Sequence, residues 1–301
     1  MNGETWDPVI ICGPTASGKT RFAEQLSKEL SSPIINADPS QALMYYEIGT
    51  GRVFNSKSID YRISGVFHPD HHPTTYKMVA RMRKEYDLIR SNGRTPIICG
   101  GSHHLIDRFI HGLESGPVPD PKLRSKLKIE EGLHGSGHLH RKLSGIRPDL
   151  AEKVHPQNLH RILRYLEMAL IDNRTPSVDR LDRTPRMIFI RDDIENIIAR
   201  IRSRIEKMLT LGWKEEVRNI CEMGFRDHLI SKGPLGYKHV LGEIEGKIER
   251  DECIELVFND TANLAKKQLR WEIKLKPDIV IKGEEEQTIH EILSIMDQHD
   301  E

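Results

Sequence analysis

With 301 residues, 37% of them hydrophobic and 30% charged, the chain has the make-up of a folded globular protein of one large domain or two smaller ones, which excludes a disordered polymer. Basic and acidic residues balance at 45 each, so no global charge draws the chain toward a polyanion, and local patches would have to hold one. Four scattered cysteines without a C-x-x-C pair (Cys12, Cys99, Cys221 and Cys253), a polar start at Asn2-Gly3-Glu4-Thr5 and apolar runs far short of the roughly 20 residues a bilayer needs argue against a disulfide framework, a secretory signal and a membrane span; a cytoplasmic protein is expected.

In chain order, apolar runs at Val9–Cys12, Pro33–Ala37, Thr95–Cys99, Met187–Ile190 and Asp278–Ile281 read as buried parallel strands. Helical periodicity fills the intervals at Arg21–Leu30 and Tyr76–Ser91. This alternation predicts an α/β fold, a parallel sheet flanked by helices. Residues 114–185 carry helical patterns at Leu123–Glu131, Leu139–Leu143 and Leu159–Ile171 and no strand-like run, so they are expected to form a helical insertion domain in a core made of 1–113 and 186–301. A long helix follows at Ile194–Leu211, stopped by Gly212, and a helical block at Arg250–Leu275 precedes the last strand. The acidic stretch Gly283–Gln287 is expected to be a turn.

The strand Val9–Cys12 runs into Gly13-Pro14-Thr15-Ala16-Ser17-Gly18-Lys19-Thr20 and then into an amphipathic helix. That is G-x-x-x-x-G-K-T in the strand–loop–helix context that gives a P-loop its meaning. Backbone amides of the loop would cradle a diphosphate, Lys19 would neutralise it, and the Thr20 hydroxyl would hold Mg²⁺. Ligands of open α/β sheets lie beyond the carboxyl ends of the strands, which brings in Asp38 after the second strand and Ser102 after the third. Asp38 could be a general base, a magnesium partner or a helix cap; Ser102 could meet a substrate or simply cap a helix.

The chain resembles the tRNA dimethylallyltransferases. The resemblance rests on Gly13–Thr20; on Ile34-Ile35-Asn36-Ala37-Asp38 with Gln41 and Ile48-Gly49-Thr50; and on Gly65-Val66-Phe67-His68 and Gly100-Gly101-Ser102. It continues through His155-Pro156 with Arg161 and Arg164, Gly236-Tyr237-Lys238, and Ala265–Leu269 with Trp271. It implies a P-loop NTPase-like core and transfer of a dimethylallyl group from its diphosphate to N6 of the adenine beside the anticodon, in tRNAs reading codons that begin with U. It implies Asp38 as the base, assisted by Ser102 and Lys19, with Mg²⁺ as cofactor and the target adenine flipped into a channel. The tRNA contacts it implies are Asp38, Pro39, Ser40, Gln41 and Ser102 in the core, and Arg124, His160, Arg161, Ile162, Leu163 and Arg164 in the insertion.

The sequence departs from the family pattern at Pro39 (where the family has serine), at His103-His104 after Ser102, and at Ala262, where an arginine is usual. The histidines His68, His71, His72, His103 and His104 lack ligand spacing, so a metal centre is not expected. The chain ends soon after Ile281 without the zinc finger common in eukaryotic members, and a compact, bacterial-type monomer is expected. Two other enzyme readings share the P-loop: an adenylate isopentenyltransferase acting on free nucleotide, and a P-loop kinase of a small metabolite. A non-catalytic RNA-binding relative would have no use for Lys19, Thr20 and Asp38.

Overall fold

The computed structural model describes residues 7–71 and 73–282; the expected turn at Gly283–Gln287, and His72, lie outside them. Two compact units form, one running to His111 and resuming at Arg180, the other Gly112–Asp179.

The first unit opens with β1 (Val9–Cys12), α1 (Lys19–Glu29), β2 (Ile34–Asn36), β3 (Tyr61–Arg62), α2 (Thr75–Ser91), β4 (Ile97–Gly100) and α3 (His103–His111). The second unit holds α4 (Pro121–His134), α5 (His138–Ile146), α6 (Pro148–Ala151) and α7 (Leu159–Leu170). The first then resumes with β5 (Arg186–Arg191), α8 (Ile194–Thr210), α9 (Trp213–Ile220), α10 (Arg226–Lys232), α11 (Tyr237–Ile244), α12 (Arg250–Leu269), α13 (Trp271–Leu275) and β6 (Ile279–Lys282).

The sheet has the order β3-β2-β4-β1-β5-β6 and is parallel throughout. Parallel strands need crossovers, and the helices that supply them cover the faces. Hence β1 and β4 are apolar at nearly every position and fully buried. Val9, Ile11, Ile34, Ile97 and Ile188 pack with Ala23 and Leu26 of α1, while Leu43 and Tyr46 join the apolar faces of α8, α9, α11 and α12 in a second cluster. After β1 the chain moves to one side of it, and after α3 and the insertion it returns on the other side as β5. The reversal opens a crevice beyond the carboxyl end of β1, where such folds bind ligands.

Gly212, with φ 98°, ends α8 as expected and starts α9 directly. Between α9 and α10 a kink at Gly224 (φ 88°) turns the chain. No helix among the described residues is long and apolar enough to cross a membrane.

The insertion unit has its own core, with Leu127, Leu139, Leu143, Leu150, Ile162, Leu163 and Leu166 buried together. Asp120 caps α4 through the amides of Lys122 and Leu123, with Pro121 at the first turn, a strong start signal. The unit's ends meet in isolated antiparallel bridges, Leu113 with Val178 and Pro117 with Arg174. Its boundary falls ahead of the expected 114–185 because Leu181 is buried and donates its amide to Ile110, which binds it to the core unit.

Candidate active site

The loop between β1 and α1 is built by contacts that leave little freedom. A Cβ on Gly13 would lie 2.4 Å from the Ile190 carbonyl oxygen, so only glycine lets the loop press against β5. Ala16 takes a left-handed conformation (φ 62°), and its carbonyl accepts from Arg200 Nε at 2.7 Å. Arg200 is anchored in turn by the buried carboxylate of Asp192 just after β5, which also accepts from Asn196 Nδ2. Burial alone would raise the Asp192 carboxyl, but hydrogen bonds from Arg200 and Asn196 hold it below its ordinary value. On the other side, Thr15 N–H donates to Gln268 Oε1 (2.8 Å), and Gln268 Nε2 donates to the Gly101 carbonyl (2.9 Å). Gln268 of α12 thus pins the loop to the end of β4.

Within this frame Lys19 Nζ donates to the Pro14 carbonyl at 3.1 Å. Desolvation lowers the Lys19 pKa, and the Asp38 carboxylate is among the charges opposing that fall. The Ser17 hydroxyl is buried and has no hydrogen-bond partner among the described residues. An orphaned polar atom in a loop of this shape suits an oxygen-rich ligand.

Asp38 follows β2, and its backbone is clamped by Asn36, which is 4% exposed. Asn36 Oδ1 accepts from Asp38 N–H, and its Nδ2 donates to the carbonyls of Asp38 (2.9 Å) and Ile63 (3.0 Å). The carboxylate accepts from Ser40 N–H at 2.9 Å. It therefore caps a turn, not a helix.

A cavity of about 390 Å³ joins these parts. Thr15, Ala16, Gly18, Lys19 and Thr20 line it from the P-loop, with Asp38, Ser40 and Gln41 from the loop after β2. Much of the remaining wall is apolar, including Ile201, Ile205 and Met208 of α8, Trp213 and Val257. Arg204 also lines it; desolvation lowers this guanidinium, and Asp38 opposes the shift.

Some expected residues lie elsewhere. Ser102 does not line the cavity; its backbone carbonyl accepts from Leu105 and Ile106 N–H at the start of α3. Pro39 is likewise outside the lining. In the insertion unit, Ile162 and Leu163 are 1% and 4% exposed and belong to the core. Their side chains pack inward, so a contact with RNA at these positions would run through the backbone. Arg124 grips the fully buried Glu167 through two hydrogen bonds of 2.6 and 2.8 Å. Arg164 lies 3.4 Å from the same carboxylate and donates to the Pro117 carbonyl. His160 and Arg161 are exposed. His103 is buried and stacks on Trp271, 5.2 Å between ring centroids.

Sequence reasoning missed the specific roles of Arg200, Arg204, Asp192, Gln268 and Trp213. A signal existed for α8: Ile201, Arg204, Ile205 and Met208 recur at helical spacing, so one face brings both charge and apolar surface to the crevice.

Residues 43–274 match the IPP transferase family. The chain is 34% identical over 278 residues to the tRNA dimethylallyltransferase of Acetivibrio thermocellus, covering 89% of each chain. It is 31% identical to that of Syntrophobacter fumaroxidans, over 87% of this chain and 80% of the other. Its fold is similar to the crystal structure of a tRNA isopentenylpyrophosphate transferase from Bacillus halodurans, with TM-score 0.66, 23% identity, and coverage of 98% of this chain and 95% of that one. It is also similar to a eukaryotic dimethylallyltransferase acting on tRNA, with TM-score 0.71 and 20% identity over 93% of this chain and 74% of that one.

Proposed function

Because the chain belongs to the IPP transferase family, we propose that it transfers the dimethylallyl group of dimethylallyl diphosphate to N6 of the adenine beside the anticodon, in tRNAs reading codons that begin with U. The observation that carries this reading is the single cavity in which the P-loop, the Asp38 carboxylate and an apolar wall meet. A diphosphate, an acidic proton and a hydrocarbon each find a matching surface there. The chemistry takes place in the cytoplasm, on a monomeric enzyme.

The adenine amino group is a weak nucleophile because its lone pair is delocalised into the ring. As N6 forms a bond to C1 of the donor, the C1–O bond breaks and its electrons leave with the diphosphate. Asp38 accepts the N6 proton, keeping positive charge off the purine. Lys19, Arg204 and the amides of Ala16 and Gly18 stabilise the departing charge, and the Ser17 hydroxyl donates into the same cradle. The apolar wall holds the prenyl group and keeps water from the cation-like carbon.

Among the described residues no cluster of His, Cys, Asp and Glu could hold a metal unaided. The Thr20 hydroxyl in the cavity wall fits Mg²⁺, which takes few protein oxygens and draws the rest from phosphate and water. When bound, that ion would neutralise part of the leaving diphosphate.

The test is incubation with Mg²⁺, labelled dimethylallyl diphosphate and an anticodon stem-loop carrying consecutive adenines. Label is expected on the RNA. Labelling of free AMP alone, or ATP-dependent phosphorylation of a metabolite without prenyl transfer, would overturn the reading. In the same assay Asp38→Ala is expected to keep diphosphate binding while transfer falls by about 10²- to 10⁴-fold; near-normal turnover would put the base elsewhere.

A further inference from the structure

Helix α9 carries Trp213 and Glu216 three residues apart, so both fall on one face, and that face seats the loop 47–51. Glu216 Oε2 accepts from the backbone N–H of Glu47 (2.9 Å) and Ile48 (2.8 Å). Its Oε1 accepts from Gly49 N–H at 3.5 Å and from the Tyr237 hydroxyl at 2.5 Å. The loop therefore turns three successive amides onto one carboxylate. Beneath them lies Trp213, so close that a Cβ on Gly49 would sit 2.2 Å from its Nε1.

The next residue carries the consequence into the cavity. The Thr50 carbonyl accepts from Gln41 Nε2 at 3.2 Å and from Arg204 Nη2 at 3.5 Å, and both side chains line the cavity with Asp38. The Thr50 hydroxyl closes the loop on itself by donating to the carbonyls of Tyr46 and Glu47. Gln41 and Arg204 thus share one acceptor, whose position is set by the amides that Glu216 holds.

We infer that Glu216 is a positioning residue for prenyl transfer: it fixes the 47–51 loop and, through the Thr50 carbonyl, the orientation of Gln41 and Arg204 toward the substrates. The inference rests on the transferase reading. Glu216 itself touches no reacting group. A carboxylate suits the task because both its oxygens accept, whereas a glutamine offers one acceptor oxygen and a donor. Burial, then the adjacent Glu216, keeps the Tyr237 proton in place, so the hydroxyl remains a donor across the working pH range.

The experiment is steady-state transfer by wild type, Glu216→Gln, Glu216→Ala and Tyr237→Phe, each normalised to the fraction of molecules that bind pyrophosphate. Amide hydrogen exchange is followed at 47–50. Displacement of reacting partners by about an ångström costs up to about 10²-fold in rate. Glu216→Ala is expected to lose turnover on that scale, while the KM for dimethylallyl diphosphate moves by less than about threefold, because the P-loop is untouched. Glu216→Gln preserves volume and two of the four acceptances, and is expected to lie between wild type and Ala. Tyr237→Phe removes one donor and is expected to retain most turnover. Faster exchange at 47–49 should accompany the losses. Normal turnover per competent Glu216→Ala molecule would overturn the inference, as would lost turnover with unchanged exchange at 47–49. A wild type that transfers no prenyl group would reject the functional reading instead, an outcome separate from either of these.

Discussion

Single side chains near the P-loop divide into those that face the cavity and those that hold others in place. Asp38 and Lys19 face it as the candidate reacting groups; the clamps are Asn36 and Gln268, which also form part of its wall, and Arg200 behind it. His103 belongs to neither set, and its environment makes a specific claim. It is buried, its Nε2 has no hydrogen bond among the described residues, and burial, with a smaller contribution from Lys19, lowers its pKa to about 4. An unfolded histidine titrates near 6.5, so between about pH 6.5 and 4 the unfolded chain binds a proton that the native chain refuses. The sign is therefore a loss of stability as pH falls through that window, at up to about 1.4 kcal/mol per pH unit, with nothing lost above it. His103→Phe keeps an aromatic ring against Trp271 and removes the proton. Thermal unfolding across this range should show a flatter acid limb for the variant than for wild type; parallel curves would mean that the native site admits the charge.

At the scale of elements, strands β1, β2, β4 and β5 were legible because parallel strands covered on both faces are near-continuous apolar runs, and the edge strand β6 because Ile279–Ile281 is apolar even though Val280 is exposed. The P-loop was legible because its glycines answer to backbone geometry, Gly13 to the approach of the Ile190 carbonyl and Gly18 to a left-handed φ of 92°. Strand β3 was not: Tyr61–Arg62 is a two-residue, half-buried edge with no run to see. Helices α3, α9, α10 and α11 were passed over as well. They are short segments whose apolar residues are fixed by tertiary packing, and the kink at Gly224 interrupts any sustained period.

The insertion shows the same limit at the stretch expected to meet RNA. Spacing puts Arg161 and Arg164 near one face of α7, but nothing local says that Glu167, one turn further, is fully buried and ties Arg124 of α4 to α7. Hydrogen bonding to Glu167 raises the Arg124 pKa, with burial opposing. Removing one member of such a pair leaves the other without compensation. Glu167→Ala is expected to cost about 3 kcal/mol, the low end for buried pairs because Arg124 is partly exposed. Arg124→Met with Glu167→Leu should recover much of the loss. Denaturant unfolding measures both; a Glu167→Ala change within about 0.5 kcal/mol, the range of ordinary surface substitutions, would show that the pair does not hold the helices together.

Over the whole molecule charge cancels, so no long-range field steers an RNA to this protein, and affinity has to come from a small number of local contacts. Among the basic residues the insertion exposes are Lys122, Lys126, Lys128, His160 and Arg161, whereas Arg124 is committed to Glu167. This separates two roles that the sequence alone had merged. Each phosphate neutralised adds about 0.7 to 0.9 to the slope of log affinity against log salt. If Arg161 meets a phosphate, Arg161→Gln should weaken stem-loop binding and reduce that slope by about one such increment. Arg124→Met should lower stability and leave the slope unchanged. Binding titrations of wild type and both variants over a range of salt concentrations read the two effects independently. An unchanged slope for Arg161→Gln would remove that arginine from the RNA-binding face, and a reduced slope for Arg124→Met would mean that RNA draws this arginine away from Glu167 on binding.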